Sequence, residues 1–213
     1  MGSVFNQVAA RSVLAASFFK VMDSANQTTP PRTLIVMGVS GCGKSSVAQQ
    51  LAASLGWALH EGDAYHSEAS IAKMRAGVPL TDEDRADWLA RLARLLAEAA
   101  TAGPAQGVVL TCSALKRKYR DQLRAGSGQG AVGFVFLDLD YDTALQRVQE
   151  RAGHFFSPEL VANQFATLER PDGESCVLGV DATLPLADIV GRVNAWLAVP
   201  PRAAAASLSS SQP

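Results

Sequence analysis

Residues 37–46, with the sequence MGVSGCGKSS, constrain the fold of this chain more than any other stretch. They follow an apolar run at 34–36 and precede a run of helical spacing at 47–55, which predicts a strand, a glycine loop and a helix. The stretch matches the pattern G-x-x-x-x-G-K-[ST], in which loop N–H groups and the helix N-terminus surround phosphate groups. We therefore expect nucleotide phosphates to be bound by Gly38, Val39, Ser40, Gly41, Cys42, Gly43, Lys44, Ser45 and Ser46.

Three side chains of this loop have individual predictions. Lys44 is expected to reach the β and γ phosphates of ATP, and the Ser45 hydroxyl is expected to bind Mg²⁺. The loop N–H groups, the helix start and Lys44 should favour the thiolate of Cys42, so that oxidants would inactivate the protein and ATP would protect it. The alternative is that Cys42 is only a small residue that fills space.

The rest of the chain alternates between apolar runs and helical segments. Further strands are predicted at 57–60, 108–112, 132–137 and 177–180. The first helix is expected to end at Gly56, a capping box of Thr81 and Asp84 is expected to start another helix, and a basic helix is predicted from residue 113. This alternation predicts an α/β fold with a five-stranded parallel sheet flanked by helices, in a single domain over residues 32–198.

Two helical insertions and two terminal segments complete the predicted organisation. In size and in these two insertions the chain resembles nucleoside monophosphate kinases, which implies that residues 64–102 bind the phosphate acceptor and that residues 151–171 form a lid. Residues 1–31 are interpreted as a flexible extension or a targeting segment, because 1–29 is rich in Ala and Ser. Residues 199–213 are predicted to be a disordered tail.

Composition and charge limit the partners and the compartment. A net charge of −1 gives no electrostatic reason to expect nucleic acid or a membrane surface as a partner. The three cysteines, Cys42, Cys112 and Cys176, are odd in number and widely spaced, which favours a reducing compartment over a disulfide framework. We therefore predict a cytoplasmic protein, with organelle targeting by 1–29 as the alternative.

Two acidic residues follow the second predicted strand. Ligands of open α/β sheets bind beyond the carboxyl ends of the strands, so Glu61 and Asp63 should face the phosphate loop. Asp63 is the candidate for orienting an acceptor hydroxyl and taking its proton, and its alternative role is to cap the strand end. Glu61 is a second candidate for holding the metal, through water.

Several further segments resemble the gluconokinase family. They include Gly62-Asp63-x-x-His66, Cys112-Ser113-Ala114-Leu115-Lys116 and Gly153-His154-Phe155. A longer segment runs from Lys73 through Pro79-Leu80-x-Asp82-x-Asp84-Arg85 to Trp88-Leu89. The resemblance implies ATP-dependent phosphorylation of D-gluconate to 6-phospho-D-gluconate, with Mg²⁺, by a homodimer.

A sugar acid needs fixed cations and hydrogen-bonding groups in its site. Lys116 and Arg120 are four residues apart, so they should share one helix face, and Arg120 is expected to bind the carboxylate bidentately. His66 is expected to bond a hydroxyl or the carboxylate. The alternative is a solvated basic face, which we expect for Arg117 and Lys118.

The lid is expected to exclude water when it closes. Arg147, Arg151 and His154 are the candidates to meet phosphate or substrate on closure, with Arg151 assigned a catalytic role. Gln164 either contacts the substrate or orders the lid, and the sequence leaves both readings open.

Two alternative functions stay open at this point. One is a different small-molecule kinase of the same architecture, such as shikimate kinase, although Ser113-Ala114-Leu115 stands where that family has a glycine triplet. The other is a non-catalytic nucleotide-binding protein, against which the presence of Lys44, Ser45 and Asp63 argues.

Overall fold

The computed structural model describes residues 30–101, 107–128, 131–150 and 158–199. The predicted extension at 1–29, most of the predicted tail at 200–213, and the first part of the predicted lid at 151–157 lie outside the described residues. Arg151 and His154 belong to that last segment, so their assigned roles stay predictions.

The described residues form five strands and seven α-helices that alternate along the chain. The strands are β1 (Thr33–Met37), β2 (Ala58–Glu61), β3 (Val108–Thr111), β4 (Val132–Asp138) and β5 (Val177–Asp181). The helices are α1 (Lys44–Leu55), α2 (Glu68–Arg75), α3 (Asp82–Thr101), α4 (Arg117–Gly126), α5 (Tyr141–Glu150), α6 (Pro158–Thr167) and α7 (Leu186–Ala198). A 3₁₀ turn, Gly62–Tyr65, follows β2 directly. Among the described helices, none has both the length and the apolar character needed to cross a membrane.

All five strands are parallel, in the order β2-β3-β1-β4-β5. In the register, Ile35 of β1 lies between Leu110 of β3 and Phe134 of β4. Strands β2 and β3 lie on one side of β1, and β4 and β5 lie on the other, so the strand order reverses at β1. Open α/β sheets bind ligands at the carboxyl end of the strands at such a point, which is where the loop after β1 lies. The predicted α/β fold with a five-stranded parallel sheet is therefore confirmed.

Each face of the sheet is covered by its own helices. Buried residues of α1, α5, α6 and α7 pack on one face with Val36, Val109 and Val135. Buried residues of α3 and α4 pack on the other face with Ile35, Leu110 and Phe134. The central strands are mostly apolar because helices bury both of their faces.

The start of α3 has the capping box that the sequence predicts. The Thr81 N–H donates to Asp84 Oδ2 at 2.9 Å, and the Asp84 N–H donates to Thr81 Oγ1 at 3.2 Å. These reciprocal bonds satisfy two N–H groups at the helix start and fix where the α2–α3 insertion turns back toward the sheet. Gly56 likewise ends α1 in the left-handed conformation, with φ 66°.

One predicted boundary is wrong. The sequence predicts a basic helix from residue 113, but α4 begins only at Arg117. Ala114 has φ 45°, which is incompatible with a right-handed helix. The Arg120 guanidinium donates to the carbonyl oxygens of Ala114 and Leu115, and these bonds hold the segment between β3 and α4 as a loop.

The packing of α3 against the sheet gives a prediction about stability. Leu92 is 0% exposed, so Leu92→Ala should lower the free energy of unfolding by about 2–5 kcal/mol through the lost burial and the cavity left behind. Leu186→Ala is the control, because Leu186 is 40% exposed and its truncation should change the value by less than about 0.5 kcal/mol. Urea unfolding of both variants measures the difference, and equal losses would contradict the assignment of Leu92 to the core.

Candidate active site

The phosphate loop passes so close to neighbouring strands that two of its positions require glycine. A Cβ on Gly38, which has φ 139°, would lie 2.8 Å from the Leu137 carbonyl oxygen and 2.9 Å from Cys42 Sγ. A Cβ on Gly41, which has φ 84°, would lie 2.7 Å from the Ala144 carbonyl oxygen. Side chains there would force the backbone out of position, so the two glycines fix the loop against β4 and α5.

Lys44 and the start of α1 complete the phosphate-binding arrangement. The Lys44 ammonium donates to the carbonyl oxygens of Gly38 at 3.2 Å and Val39 at 3.0 Å, which folds its side chain back over the loop. Gly43 precedes the helix in the left-handed conformation, and Ser45 and Ser46 lie exposed in its first turn. The first N–H groups of a helix have no intrahelical acceptor, so this end of α1 suits an anion.

The loop groups favour the Cys42 thiolate as predicted, but burial of the side chain outweighs them. Cys42 is 2% exposed, and burial raises the pKa of its thiol above the ordinary value of 9.0. Lys44 and backbone N–H groups act in the opposite direction but are outweighed. The side chain packs close to Gly38, which agrees with the alternative of a small residue that fills space.

Glu61 lies beside Ser45, as expected for residues that share a metal. The Ser45 hydroxyl donates to Glu61 Oε2 at 3.1 Å, and the Thr111 hydroxyl donates to the same oxygen at 2.6 Å. Oxygen atoms are the ligands that Mg²⁺ prefers, and this ion commonly takes one or two protein ligands together with phosphates and water. No group of three or more His, Cys, Asp and Glu side chains is placed to hold a metal within the described parts of the chain. Ser45 and Glu61 therefore fit a magnesium ion shared with a nucleotide.

The turn after β2 carries Asp63 and His66, the residues that the sequence predicts for the acceptor site. Asp63 is exposed in the 3₁₀ turn, and Trp88 of α3 secures that turn by donating from Nε1 to the Gly62 carbonyl oxygen at 2.7 Å. The His66 ring stacks on Trp88 with centroids 4.3 Å apart. Burial, with a smaller contribution from Arg85, lowers the pKa of His66 below 6.5 despite the opposing charge of Asp63, so the ring is neutral at pH 7. Its Nδ1 is buried and has no hydrogen-bond partner among the residues that the structure describes.

One cleft brings these groups together from five parts of the chain. The phosphate loop, the turn after β2, the α2–α3 insertion, the loop after β3 and α6 all contribute to it. Its lining residues are Ser40, Lys44, Asp63, His66, Met74, Pro79, Leu80, Arg85, Trp88, Ser113, Leu160, Asn163 and Gln164. The cleft thus joins the phosphate-binding lysine to a carboxylate and a neutral imidazole that could receive an acceptor molecule.

Helix α6 touches the phosphate loop directly. The Ser40 N–H donates to Gln164 Oε1 at 2.6 Å, and Asn163 and Leu160 of the same helix also line the cleft. The sequence left open whether Gln164 contacts substrate or only orders the lid. The hydrogen bond places this amide at the phosphate end of the cleft.

Lys116 is not among the residues that line the cleft. Its ammonium lies 2.9 Å from Asp82 Oδ1, and Lys118 Nζ lies 2.6 Å from Asp82 Oδ2. The Tyr119 hydroxyl donates to the same carboxylate. The three donors lower the pKa of Asp82 well below its ordinary value, with Lys118 contributing most. Lys116 and Lys118 therefore link α4 to the start of α3, while the Lys118 side chain stays exposed, as expected for a solvated face.

The prediction that Arg120 binds the substrate carboxylate is contradicted by its burial. Arg120 is 0% exposed, and its Nε donates to both carboxylate oxygens of Glu174 at 3.0 Å. Nη2 also bonds Glu174, and Nη1 donates to Ala114 and Leu115. Arg124 contacts the same carboxylate, with Nη2 2.8 Å from Oε2. Arg120 holds the loop after β3 in place and has no access to a ligand.

Arg85 and Thr111, for which the sequence predicts no role, also lie at the site. Arg85 lines the cleft, and Thr111 orients Glu61. A signal for Arg85 was present in the sequence. It follows three acidic residues in the predicted first turn of a helix, where a cation is unfavourable because of the helix dipole.

The fold and the site together define a class of protein. A parallel sheet of this order, a phosphate loop at the carboxyl end of its central strand, and a helical insertion that faces the loop across a cleft are the features of a small-molecule kinase with a P-loop. The model of the AAA domain family matches residues 34–171.

Similarity to proteins of known name identifies the family within this class of kinases. The chain is 49% identical to a gluconokinase of Gluconobacter oxydans over 150 residues, which cover 70% of this chain and 82% of that one. It is 42% identical to the thermoresistant gluconokinase of Escherichia coli, covering 73% of this chain and 87% of the relative. The crystal structure of a gluconokinase from Sinorhizobium meliloti superposes with a TM-score of 0.70 at 44% identity, covering 80% of this chain and 93% of that one. The chain therefore belongs to the gluconokinase family.

The buried Arg120–Glu174 pair gives a prediction about stability. Glu174→Gln leaves the Arg120 guanidinium buried without its counter-charge, which should lower the free energy of unfolding by about 3–5 kcal/mol. Glu98→Gln, at an exposed position of α3, should change it by less than about 0.5 kcal/mol. Chemical denaturation at pH 7 measures both values. Equal stability of the Glu174→Gln variant and the parent would show that the pair does not hold this loop.

The same pair has a defined pH dependence. Burial raises the pKa of Glu174, but the hydrogen bonds and charges of Arg120 and Arg124 together hold it below 4.5. A carboxyl group with a lowered pKa stabilises the fold above its unfolded pKa, and this contribution is lost as the pH falls through the folded value. The stability difference between the parent and Glu174→Gln should therefore be full above about pH 5 and shrink as the pH falls below about 4.5. A difference that grew in acid would contradict this.

Proposed function

We infer that the chain transfers the γ-phosphoryl group of ATP to a hydroxyl of D-gluconate, giving 6-phospho-D-gluconate and ADP. The observation that carries this function is the single cleft in which Lys44 of the phosphate loop faces Asp63 and His66, in a member of the gluconokinase family. The alternative of shikimate as acceptor has no support from the relatives named above. A non-catalytic role is disfavoured because Lys44, Ser45 and Asp63 are all present and close to the cleft.

The nucleotide would lie with its phosphates in the loop between β1 and α1. The N–H groups at the start of α1 would donate to phosphate oxygens, and the Lys44 ammonium would turn from the Gly38 and Val39 carbonyl oxygens to the β and γ phosphates. Ser45 and Glu61 would hold Mg²⁺. When bound, that ion would neutralise charge on the phosphates.

The acceptor would lie between the phosphate loop and the turn after β2. Asp63 would orient the attacking hydroxyl and take its proton, while the hydroxyl oxygen forms a bond to the γ phosphorus and the bond from that phosphorus to the ADP oxygen breaks. His66 is neutral, so Nδ1 can donate to or accept from a second hydroxyl according to its tautomer. Phosphoryl transfer depends mainly on positioning and charge, which this arrangement supplies.

Helix α6 would act as the described part of the lid. It lies over the phosphate loop through the Gln164–Ser40 hydrogen bond, so it can shield the γ-phosphate position from water. Arg151 and His154 precede this helix, and we propose that they meet phosphate and substrate on closure. The homodimer, the cytoplasmic location and the absence of nucleic acid and membrane partners also stay predictions.

The proposed reaction can be tested by following ADP release with Mg²⁺ and ATP in a coupled assay. D-gluconate should give turnover of about 1–100 per second, as is usual for kinases, and omission of the acceptor should give almost none. Shikimate and a nucleoside monophosphate serve as comparison acceptors. Turnover with shikimate but not with gluconate would overturn the proposed substrate.

The role of Asp63 can be tested by Asp63→Asn, which keeps the size of the side chain but removes the proton acceptor. Turnover with gluconate should fall by about 10²–10⁴-fold, while the dissociation constant of ATP stays within twofold of the parent. Asp87→Asn is the matched control, since Asp87 is an exposed aspartate of α3. If the Asp63→Asn enzyme keeps the turnover of the parent, Asp63 is not the proton acceptor.

A further inference from the structure

A sugar acid that binds at the acceptor end of the cleft brings a carboxylate with it, and a residue of the cleft has to bind that group. An anion that leaves water for a cleft needs a compensating charge. The two cations that the sequence predicts for this role have other partners, because Arg120 is buried against Glu174 and Lys116 is paired with Asp82. Among the residues that line the described cleft, a different cation would have to supply this charge.

We propose that Arg85 binds the carboxylate of the acceptor and thereby selects a sugar acid over a neutral sugar derivative. This proposal rests on the proposed function, since it names the residue that recognises the substrate class. Arg85 lines the cleft together with Asp63, His66 and Lys44.

The geometry of Arg85 suits a carboxylate ligand. Nη1 donates to the Leu80 carbonyl oxygen and to the Thr81 carbonyl oxygen, the latter at 3.2 Å, and these bonds anchor one corner of the guanidinium. Nε and Nη2 donate to no described residue. The two nitrogens form one edge of the guanidinium, which matches the two oxygens of a carboxylate.

The charges around Arg85 also leave it available. Among the described residues it forms no ion pair, although acidic side chains lie close to it along the chain. Asp82 is shared by Lys116, Lys118 and Tyr119, and Asp84 lies 2.6 Å from Lys73 Nζ.

Of the two cations that line the described cleft, we assign Arg85 to the acceptor side. Lys44 is the other Lys or Arg side chain among the described lining residues, and it lies over the phosphate loop. His66 can bond a hydroxyl, and burial lowers its pKa, which disfavours the charged form that would balance a carboxylate. The guanidinium carbon of Arg85 lies 5.9 Å from the centroid of the Tyr119 ring, a contact that helps to keep its plane oriented.

The test compares two ligands that differ only in charge, D-gluconate and its neutral amide D-gluconamide. Their dissociation constants are measured by titration calorimetry in the presence of ADP, for the parent and for Arg85→Gln. The parent should prefer gluconate, and Arg85→Gln should reduce that preference by about 10- to 150-fold, the range expected for a lost hydrogen bond to a charged group. Arg85→Lys, which keeps the charge but loses the fork, should recover part of the preference.

Matched measurements separate recognition from structure. Arg91→Gln removes an exposed arginine of the same helix, whose Nη1 contacts the Tyr65 carbonyl oxygen at 3.3 Å, and it should leave the preference unchanged. Equal weakening of gluconate and gluconamide by Arg85→Gln would show a structural role and overturn the proposal. So would a parent without a preference for gluconate, or variants that keep the preference of the parent. Turnover of gluconate by the parent tests the proposed reaction separately, so the two inferences can fail independently.

Discussion

The site depends on the contact between the phosphate loop and the carboxyl ends of β3 and β4. The Gly38 N–H donates to the Ser113 carbonyl oxygen at 3.3 Å, and Gly38 leaves no room for a side chain against Leu137. Arg147 of α5 adds a hydrogen bond from Nη1 to the Gly41 carbonyl oxygen at 3.4 Å. Because β2 pairs with β3, and β3 pairs with β1, these contacts also set the position of the loop relative to the turn that carries Asp63.

Burial gives two arginines opposite roles. Arg120 has Glu174 as its partner, a residue 54 positions further along the chain, and the pair fixes the loop after β3. Arg85 has only carbonyl oxygens as hydrogen-bond partners among the described residues and lies in the cleft. Neither the residue type nor the local sequence spacing distinguishes a structural arginine from an arginine that can bind a ligand. The presence of a distant carboxylate makes that distinction.

Helix α6 and the residues directly after it contact both the phosphate loop and the loop after β3. Gln164 reaches the Ser40 N–H across 124 positions of sequence. Just beyond the helix, the Glu169 N–H donates to the Leu115 carbonyl oxygen at 2.9 Å, and the Arg117 N–H donates to the Glu169 carboxylate at 2.6 Å. A movement of this segment would therefore change the phosphate loop and the loop after β3 together. Both loops line the cleft, so such a movement would change the positions of lining residues at each end of the cleft.

The sequence by itself determined the order of strands and helices, the phosphate loop and the cap at Thr81, because these follow from apolar periodicity, glycine geometry and local hydrogen bonding. It also placed Glu61 and Asp63 at a strand end, where parallel sheets gather their ligands. Only the tertiary structure decided that Arg120 is enclosed, that Arg85 lines the cleft, and that the Cys42 thiol is buried enough to raise its pKa. These outcomes depend on which distant groups surround a charge or a thiol, and burial can reverse what its sequence neighbours alone would predict.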